Sequence, residues 1–272
     1  MSGAGSRDPL SPGEREELEE ALISFCDREL DLLGDVRGLD VLYAGGSSLL
    51  WLEGLADRIG ERGSLTALDA DRERVEGSRE LLREDPPPLP VRLVAGDVFR
   101  PPFEKGSFDL VYSAGLFHEL DVRERGAEEA LAALVSVLRP GGRLATSDFV
   151  DSGPGRPVQL VDEELDRELA WALSGRDLYG IGSTERLVAL HRRALAEVRW
   201  RLLPPLEIRH LGTLVLDEPE PEELERLPAG EGERLRRWRA ALRQRIRHEG
   251  YTRPATLYVE GMLRGATAPG AG

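Results

Sequence analysis

The chain of 272 residues contains no asparagine, a single lysine (Lys105), a single cysteine (Cys26) and two residues each of glutamine and methionine. One cysteine excludes intrachain disulfides and every metal site built from several cysteines. Cys26 lies among Ile23, Phe25 and Leu30, a setting for a buried structural thiol rather than a reactive one. The four histidines, His118, His191, His210 and His248, have no zinc-ligand spacing, and there is no Gly-x-Ser-x-Gly elbow of a serine hydrolase. No apolar run approaches the roughly 18 residues of a membrane-spanning helix. Residues 1–8 lack the charged-then-apolar layout of a signal peptide. A cytoplasmic protein without a membrane partner is the expectation. The 36 basic residues are that one lysine and 35 arginines, a bias that suits either a hot growth habitat or a GC-rich genome. Against them stand 50 acidic residues, so the net charge is −14, which argues against a broad phosphate-binding surface and a nucleic-acid partner.

What is present is a soluble globular composition, 40% hydrophobic and 32% charged. A chain of this length buries about three-quarters of its unfolded surface and needs no staple. Residues 1–10 read as a disordered tail. Ser11-Pro12-Gly13-Glu14 is a capping box, and Leu18, Leu22, Phe25 and Cys26 recur at helical spacing, so residues 11–35 form an N-terminal helix closed by Gly34. Residues 36–150 then alternate short apolar strands with helices. Strands are expected at 40–44, 64–68, 91–95, 108–113 and 143–147, and helices at 49–59, 71–83 and 127–138. That rhythm means βαβ units and a parallel sheet, an α/β fold. Residues 151–200 are expected to hold a loop, an amphipathic helix at 161–173, a second loop at 176–182 and a helix at 184–198. Residues 201–265 hold strands at 206–216 and 255–262 around a helical insertion, and 266–272 form a tail. The inserted helix, from 231 to about 248, carries seven arginines between Arg234 and Arg247, beside an apolar stripe of Leu235, Trp238, Leu242 and Ile246. The stripe favours a core-facing helix with a solvated charged face over a nucleic-acid patch.

In open parallel sheets, ligands bind at the carboxyl ends of the strands. Gly45-Gly46 after the first strand lets backbone approach a ligand at a helix N-terminus. Asp69, after the second, is placed to accept from ribose hydroxyls, and Asp97, after the third, from an exocyclic amine. A turn glycine or a helix-capping aspartate explains any one of these alone; three at successive strand ends describe an adenosine-shaped slot.

With these groups in place, the sequence resembles the class I S-adenosylmethionine-dependent methyltransferases. The resemblance rests on Val41-Leu42-Tyr43-Ala44-Gly45-Gly46-Ser47, Leu68-Asp69-Ala70-Asp71, Ala95-Gly96-Asp97-Val98, Phe108-Asp109-Leu110-Val111-Tyr112-Ser113 and Leu138-Arg139-Pro140-Gly141-Gly142-Arg143-Leu144. A weaker echo is Tyr258-Val259-Glu260-Gly261, as a final antiparallel strand. The resemblance implies a Rossmann-like sheet closed by antiparallel strands, and S-adenosylmethionine as cofactor. Gly45, Gly46 and Ser47 would hold its methionine end, Asp69 its ribose, and Asp97 with Val98 its adenine. Tyr43, Ala70 and Ser113 complete the implied set. Tyr43 stands where the family usually has an acid, and Ser47 and Leu49 where it has glycines, so an altered contact to the methionine end is expected.

Methyl transfer asks the protein for orientation, and for a base only where the nucleophile must lose a proton. His118, on the loop after the fourth strand, is the candidate base, with helix capping or packing as its alternative role; Asp148 and Tyr179 are further candidates. The segment 157–182 lies where small-molecule methyltransferases insert a lid, so Trp171, Leu178 and Tyr179 are candidates for the acceptor pocket, with core packing as the alternative. Ser113-Ala114-Gly115-Leu116 replaces the Asn-Pro-Pro-Tyr-like motif of adenine and glutamine methylation. The lack of asparagine precludes the Asp/Asp/Asn metal site of catechol-type enzymes, and one cysteine disfavours cysteine-nucleophile pyrimidine and thiolate-based arsenic methylation. The expected function is methyl transfer to a small-molecule acceptor, nearest in layout to the quinone-biosynthesis type. The alternatives are a catalytically silent cofactor-binding protein, non-methyl transfer on the same fold, and an RNA methyltransferase.

Overall fold

A computed structural model of the chain describes residues 10–121, 126–150, 157–175, 183–217 and 220–264. Helix α1 (Pro12–Leu30) starts where Ser11 and Glu14 cap each other. The Ser11 N–H donates to Glu14 Oε2 at 2.9 Å, and the Glu14 N–H to Ser11 Oγ at 3.4 Å. A 3-10 turn continues to Leu33, and Gly34 at φ 66° ends the segment. Strand β1 (Asp40–Ala44), α2 (Leu49–Ile59), β2 (Ser64–Asp69), α3 (Arg72–Glu84) and β3 (Val91–Ala95) then alternate. They are followed by β4 (Phe108–Ala114), α4 (Phe117–Asp121), α5 (Ala127–Ser136) and β5 (Leu138–Phe149). Beyond lie α6 (Pro157–Ser174), α7 (Thr184–Ala194), β6 (Ala196–Leu203), β7 (Leu206–Glu207), α8 (Leu211–Asp217), α9 (Ala229–Glu249), β8 (Thr252–Arg253) and β9 (Thr256–Met262).

The main sheet has seven strands in the order β3-β2-β1-β4-β5-β9-β6. Strands β1 to β5 pair in parallel, and β9 runs antiparallel between β5 and β6. Because both faces are covered, strand residues of either parity are apolar. Leu42, Val111, Leu144 and Val259 pack with residues of α5 and α7, while Val41, Leu110, Ala145 and Tyr258 pack with residues of α1 and α2. Strand order reverses at β1, between β2 and β4, which opens a crevice at the carboxyl ends of these strands.

Two sequence expectations are corrected here. Residues 206–216 are not a strand: only Leu206–Glu207 is extended, and Leu211–Asp217 is the helix α8. The apolar run carries both periods, and the helical one prevails because Gly212 lets α8 close on α9. A Cβ at Gly212 would stand 2.8 Å from Ile246 Cγ2. Likewise the helix expected to reach residue 198 ends at Ala194, and 196–203 form the edge strand β6. Its alternating Val198, Trp200 and Leu202 are interleaved with Arg199 and Arg201, and Trp200 is half exposed, so the strand signal was weak.

The apolar stripe of α9 faces inward as expected. Leu235, Leu242 and Ile246 are buried against Val158 and Leu165 of α6, with Trp238 half-buried beside them. Arg234 pairs with Glu168 at 2.7 Å, Arg236 with Glu220 at 3.4 Å and Arg245 with Glu249 at 2.9 Å. At the opposite end of the sheet from the crevice, Arg139 bonds Asp109 Oδ2 through Nη1 and Asp40 Oδ2 through Nη2, both at 2.7 Å. Ser64 Oγ donates to Asp40 Oδ1 at 2.6 Å. This network joins β1, β2, β4 and β5 at their amino-terminal ends.

Candidate active site

The turn after β1 is pinned to β2: the Gly45 and Gly46 N–H groups donate to Leu68 O at 2.8 and 3.2 Å. Gly45 has φ 86°, and a Cβ there would stand 2.6 Å from Leu116 Cδ1, so both backbone and space require glycine. At Gly46 a Cβ would stand 3.1 Å from Tyr43 Oη. Ser48, the N-cap of α2, makes no side-chain capping bond, and its carbonyl accepts from the Trp51 and Leu52 N–H groups, so the N–H groups of Leu49 and Leu50 are the ones offered to an anionic ligand group.

At the end of β2, the buried Asp69 accepts from Ser47 Oγ at 2.9 Å and from the Asp71 N–H at 2.9 Å. Ser47 thus ties the β1 turn to the acid at the end of β2, and its own carbonyl accepts from Ser78 Oγ at 2.8 Å. Ala70 beyond it is exposed. At the end of β3, Asp97 is exposed and accepts from the Phe99 N–H at 2.8 Å, while Val98 is buried in the core. Gly96 packs closely on β2, where a Cβ would stand 2.9 Å from Leu68 Cδ1. Ser113, near the end of β4, is buried, and its Oγ has no hydrogen-bond partner among the described residues. Sequentially distant groups therefore meet along one rim: Gly45, Gly46, Ser47, Asp69, Asp97 and Ser113.

His118, in α4, stands beyond β4, and Asp148 lies near the end of the neighbouring strand β5. His118 Nδ1 is 2.8 Å from Asp148 Oδ1. The same carboxylate accepts from the backbone N–H groups of Phe117, of His118 at 3.3 Å and of Phe149 at 2.9 Å. It therefore caps α4 and orients the imidazole together. With Nδ1–H assigned as donor to the carboxylate, Nε2 is left as an acceptor. Burial pulls the His118 pKa down, but the charge and hydrogen bond of Asp148, helped by Glu119 and Asp166, more than offset this and raise it above its ordinary value. Asp166 belongs to α6, so that helix contributes to the field at His118. The His118 ring is 5.0 Å from the Phe149 ring, and Leu116 packs on Gly45.

Trp171, on α6, is 57% exposed. Leu178 and Tyr179, named above for the acceptor pocket, lie outside the described residues, as does the loop 176–182. Tyr43 is buried, and burial pushes its phenol pKa up, with the nearby charges of Cys26, Glu29 and Asp69 adding to the rise. The sequence reading passed over Glu29, a buried carboxylate that accepts from Ser147 Oγ. Its signal was there: Leu18, Leu22, Phe25 and Glu29 share one helical spacing, which puts a charge at a core position.

A sheet of this order, with glycines and acids at successive strand ends, resembles that of the class I S-adenosylmethionine-dependent methyltransferases. A family model described as a methyltransferase domain matches residues 41–142. The chain is 30% identical over 152 residues to a demethylmenaquinone methyltransferase of Lactococcus lactis subsp. lactis, covering 53% of this chain and 57% of that one. To the O-methyltransferase cnsE of Penicillium expansum it is 33% identical over 145 residues, covering 52% of this chain and 49% of that one. The chain thus spans about half the length of the curated relatives it matches. Among solved structures, a putative sarcosine dimethylglycine methyltransferase from Galdieria sulphuraria has the same fold, with a TM-score of 0.56 at 15% identity, over 94% of this chain and 91% of that one.

The residues present suit the family's cofactor, S-adenosylmethionine. Gly45 and Gly46 give a turn that side chains would fill, Asp69 offers a carboxylate for a diol, and Ser113 has a buried hydroxyl without a partner among the described residues.

Proposed function

We propose that the protein transfers a methyl group from S-adenosylmethionine to a small molecule bearing an aromatic hydroxyl. The observation that carries the proposal is the His118–Asp148 pair, 2.8 Å apart beyond the carboxyl ends of β4 and β5. When bound, the cofactor supplies an electrophilic methyl group on its sulfonium sulfur. The turn of Gly45, Gly46 and Ser47, with the first turn of α2, holds its methionine end. Asp69 accepts from the ribose hydroxyls, and Asp97 accepts from the adenine amine beside Val98.

His118 Nε2 takes the proton of the acceptor hydroxyl, and the buried Asp148 carboxylate steadies the imidazolium that forms. The Phe149 ring, 5.0 Å from His118, gives an apolar wall for an aromatic acceptor. Ionising an aromatic hydroxyl activates both its oxygen and the adjoining ring carbon, so O- and C-methylation rest on the same proton transfer. Similarity to a demethylmenaquinone methyltransferase and to an O-methyltransferase supports an acceptor of this kind.

Incubation with methyl-labelled S-adenosylmethionine and a panel of quinols and phenols should give labelled product. His118→Gln should lower turnover by about 100-fold or more and leave binding of S-adenosylhomocysteine intact. Cofactor binding without turnover across the panel would overturn the proposal in favour of a silent binding protein.

A further inference from the structure

Below the glycine turn, on the α1 face of the sheet, polar groups stand where core packing would favour apolar ones. Tyr43 of β1 and Tyr112 of β4 are both buried and stack with ring centroids 6.0 Å apart. Tyr43 Oη borders Gly46, 3.1 Å from where a Cβ of that residue would lie. Tyr112 Oη is buried and has no hydrogen-bond partner among the described residues. Ser147, at the end of β5, faces the same side and donates its hydroxyl to Glu29, which enters from α1 and is 1% exposed.

Several contacts hold α1 in the register that delivers this carboxylate. Cys26 Sγ lies 3.5 Å from Leu50 O, and Tyr258 Oη donates to Leu32 O at 3.2 Å. Gly54 of α2 admits Leu30, since a Cβ there would stand 2.7 Å from Leu30 Cδ1. The charge of Glu29 reaches both tyrosine hydroxyls, adding to the burial that raises their pKa values.

Strand β1 itself brings no acid to the glycine turn, because Tyr43 occupies the last outward-directed position on the α1 face before it. The methionine end of S-adenosylmethionine carries an ammonium group. We propose that Glu29 is the acid that receives this ammonium, supplied by α1, with Tyr112 Oη as a second acceptor. The proposal rests on S-adenosylmethionine as the cofactor, and it adds that the N-terminal helix reads the cofactor's amino group. Ser147 is the positioning residue: its hydroxyl holds the carboxylate, and its carbonyl accepts from the Gly115 N–H at 2.8 Å, at the start of the His118 loop.

The test is isothermal titration of the full chain and of Glu29→Gln with S-adenosylhomocysteine and with its deaminated analogue, foldedness being checked by circular dichroism. Loss of a charge-assisted hydrogen bond should weaken S-adenosylhomocysteine binding about tenfold or more. The deaminated analogue should bind both proteins within about twofold, because it presents no ammonium. Equal weakening of both ligands, or weakening of neither, would overturn the proposal. Failure of the unaltered protein to bind either nucleoside would overturn the cofactor assignment as well, which separates the two. Should Glu29→Gln not fold, Ser147→Ala keeps the carboxylate but removes the hydroxyl that helps to hold it. It should weaken S-adenosylhomocysteine by severalfold and spare the analogue, and equal loss for both would count against the assignment.

Discussion

His191 should make the protein lose stability between pH 6.5 and pH 4. Its ring is fully buried between α7 and β5, with Nδ1 3.0 Å from Leu187 O and Nε2 3.2 Å from Thr146 Oγ1. Nδ1–H donates to the carbonyl and Nε2 accepts from the hydroxyl, so the neutral ring is fully bonded, and the cost of a second proton is that of a buried charge. Burial lowers the pKa to about 4, partly countered by the Leu187 carbonyl. In the unfolded chain the ring titrates near 6.5. As pH falls below that value the unfolded state takes up a proton that the folded state refuses, so stability falls until the folded ring protonates. The linkage removes about 2 kcal/mol by pH 5 and about 3 kcal/mol by pH 4, and the loss from this group levels off by about pH 3. Urea unfolding at several pH values should show this slope for the natural chain. His191→Met should be less stable near neutrality, because Thr146 loses its acceptor, yet flatter across the acidic range. If the two proteins run parallel between pH 7 and pH 4.5, the reasoning is wrong. His118 does not confuse the comparison: its pKa is raised, so its contribution is present below 6.5 and is lost only as pH rises above that.

That raised pKa also predicts a pH–rate profile whose acidic limb lies above the ordinary histidine value, since His118 must be neutral to accept a proton. Asp148→Asn should shift the limb to lower pH and reduce turnover, measured as kcat against pH with a quinol acceptor. Arg139→Met should cost up to about 1 kcal/mol in urea unfolding, because the Asp40 and Asp109 carboxylates then face one another in a half-exposed site. An unchanged midpoint would show that Ser64 and backbone groups hold these carboxylates unaided.

Strands β1 and β3 were legible to the residue, because a short apolar run bounded by glycine or acid has one compact reading in a βαβ rhythm. Edge strand β6 was not, since one of its faces is largely wet and its alternation mixes arginine with tryptophan. The rim of Gly45, Asp69 and Asp97 could be foreseen because each follows its own strand. His118 and Asp148 are thirty residues apart, and what joins them is the parallel pairing of β4 with β5, a contact that local pattern does not display. Glu29 escaped notice for another reason. Its spacing with Leu18, Leu22 and Phe25 puts it on the buried face of α1, but a charge inside an apolar stripe is easily read as turned outward, and the Ser147 hydroxyl across the gap shows that it points inward.

The Arg139 network lies at one end of the sheet, and the glycine, acid and histidine rim at the other. Strand register is therefore fixed by charged groups that no ligand touches. Residues at the base can be exchanged with little risk to chemistry, while along the rim the exposed positions, such as Asp97, are freer to change than Gly45 or Asp148, which the local backbone needs. On the function proposed above, a scaffold divided in this way tolerates drift in acceptor preference: substitutions at exposed positions such as Trp171 of α6 would alter which acceptor is taken before they altered whether the chain folds.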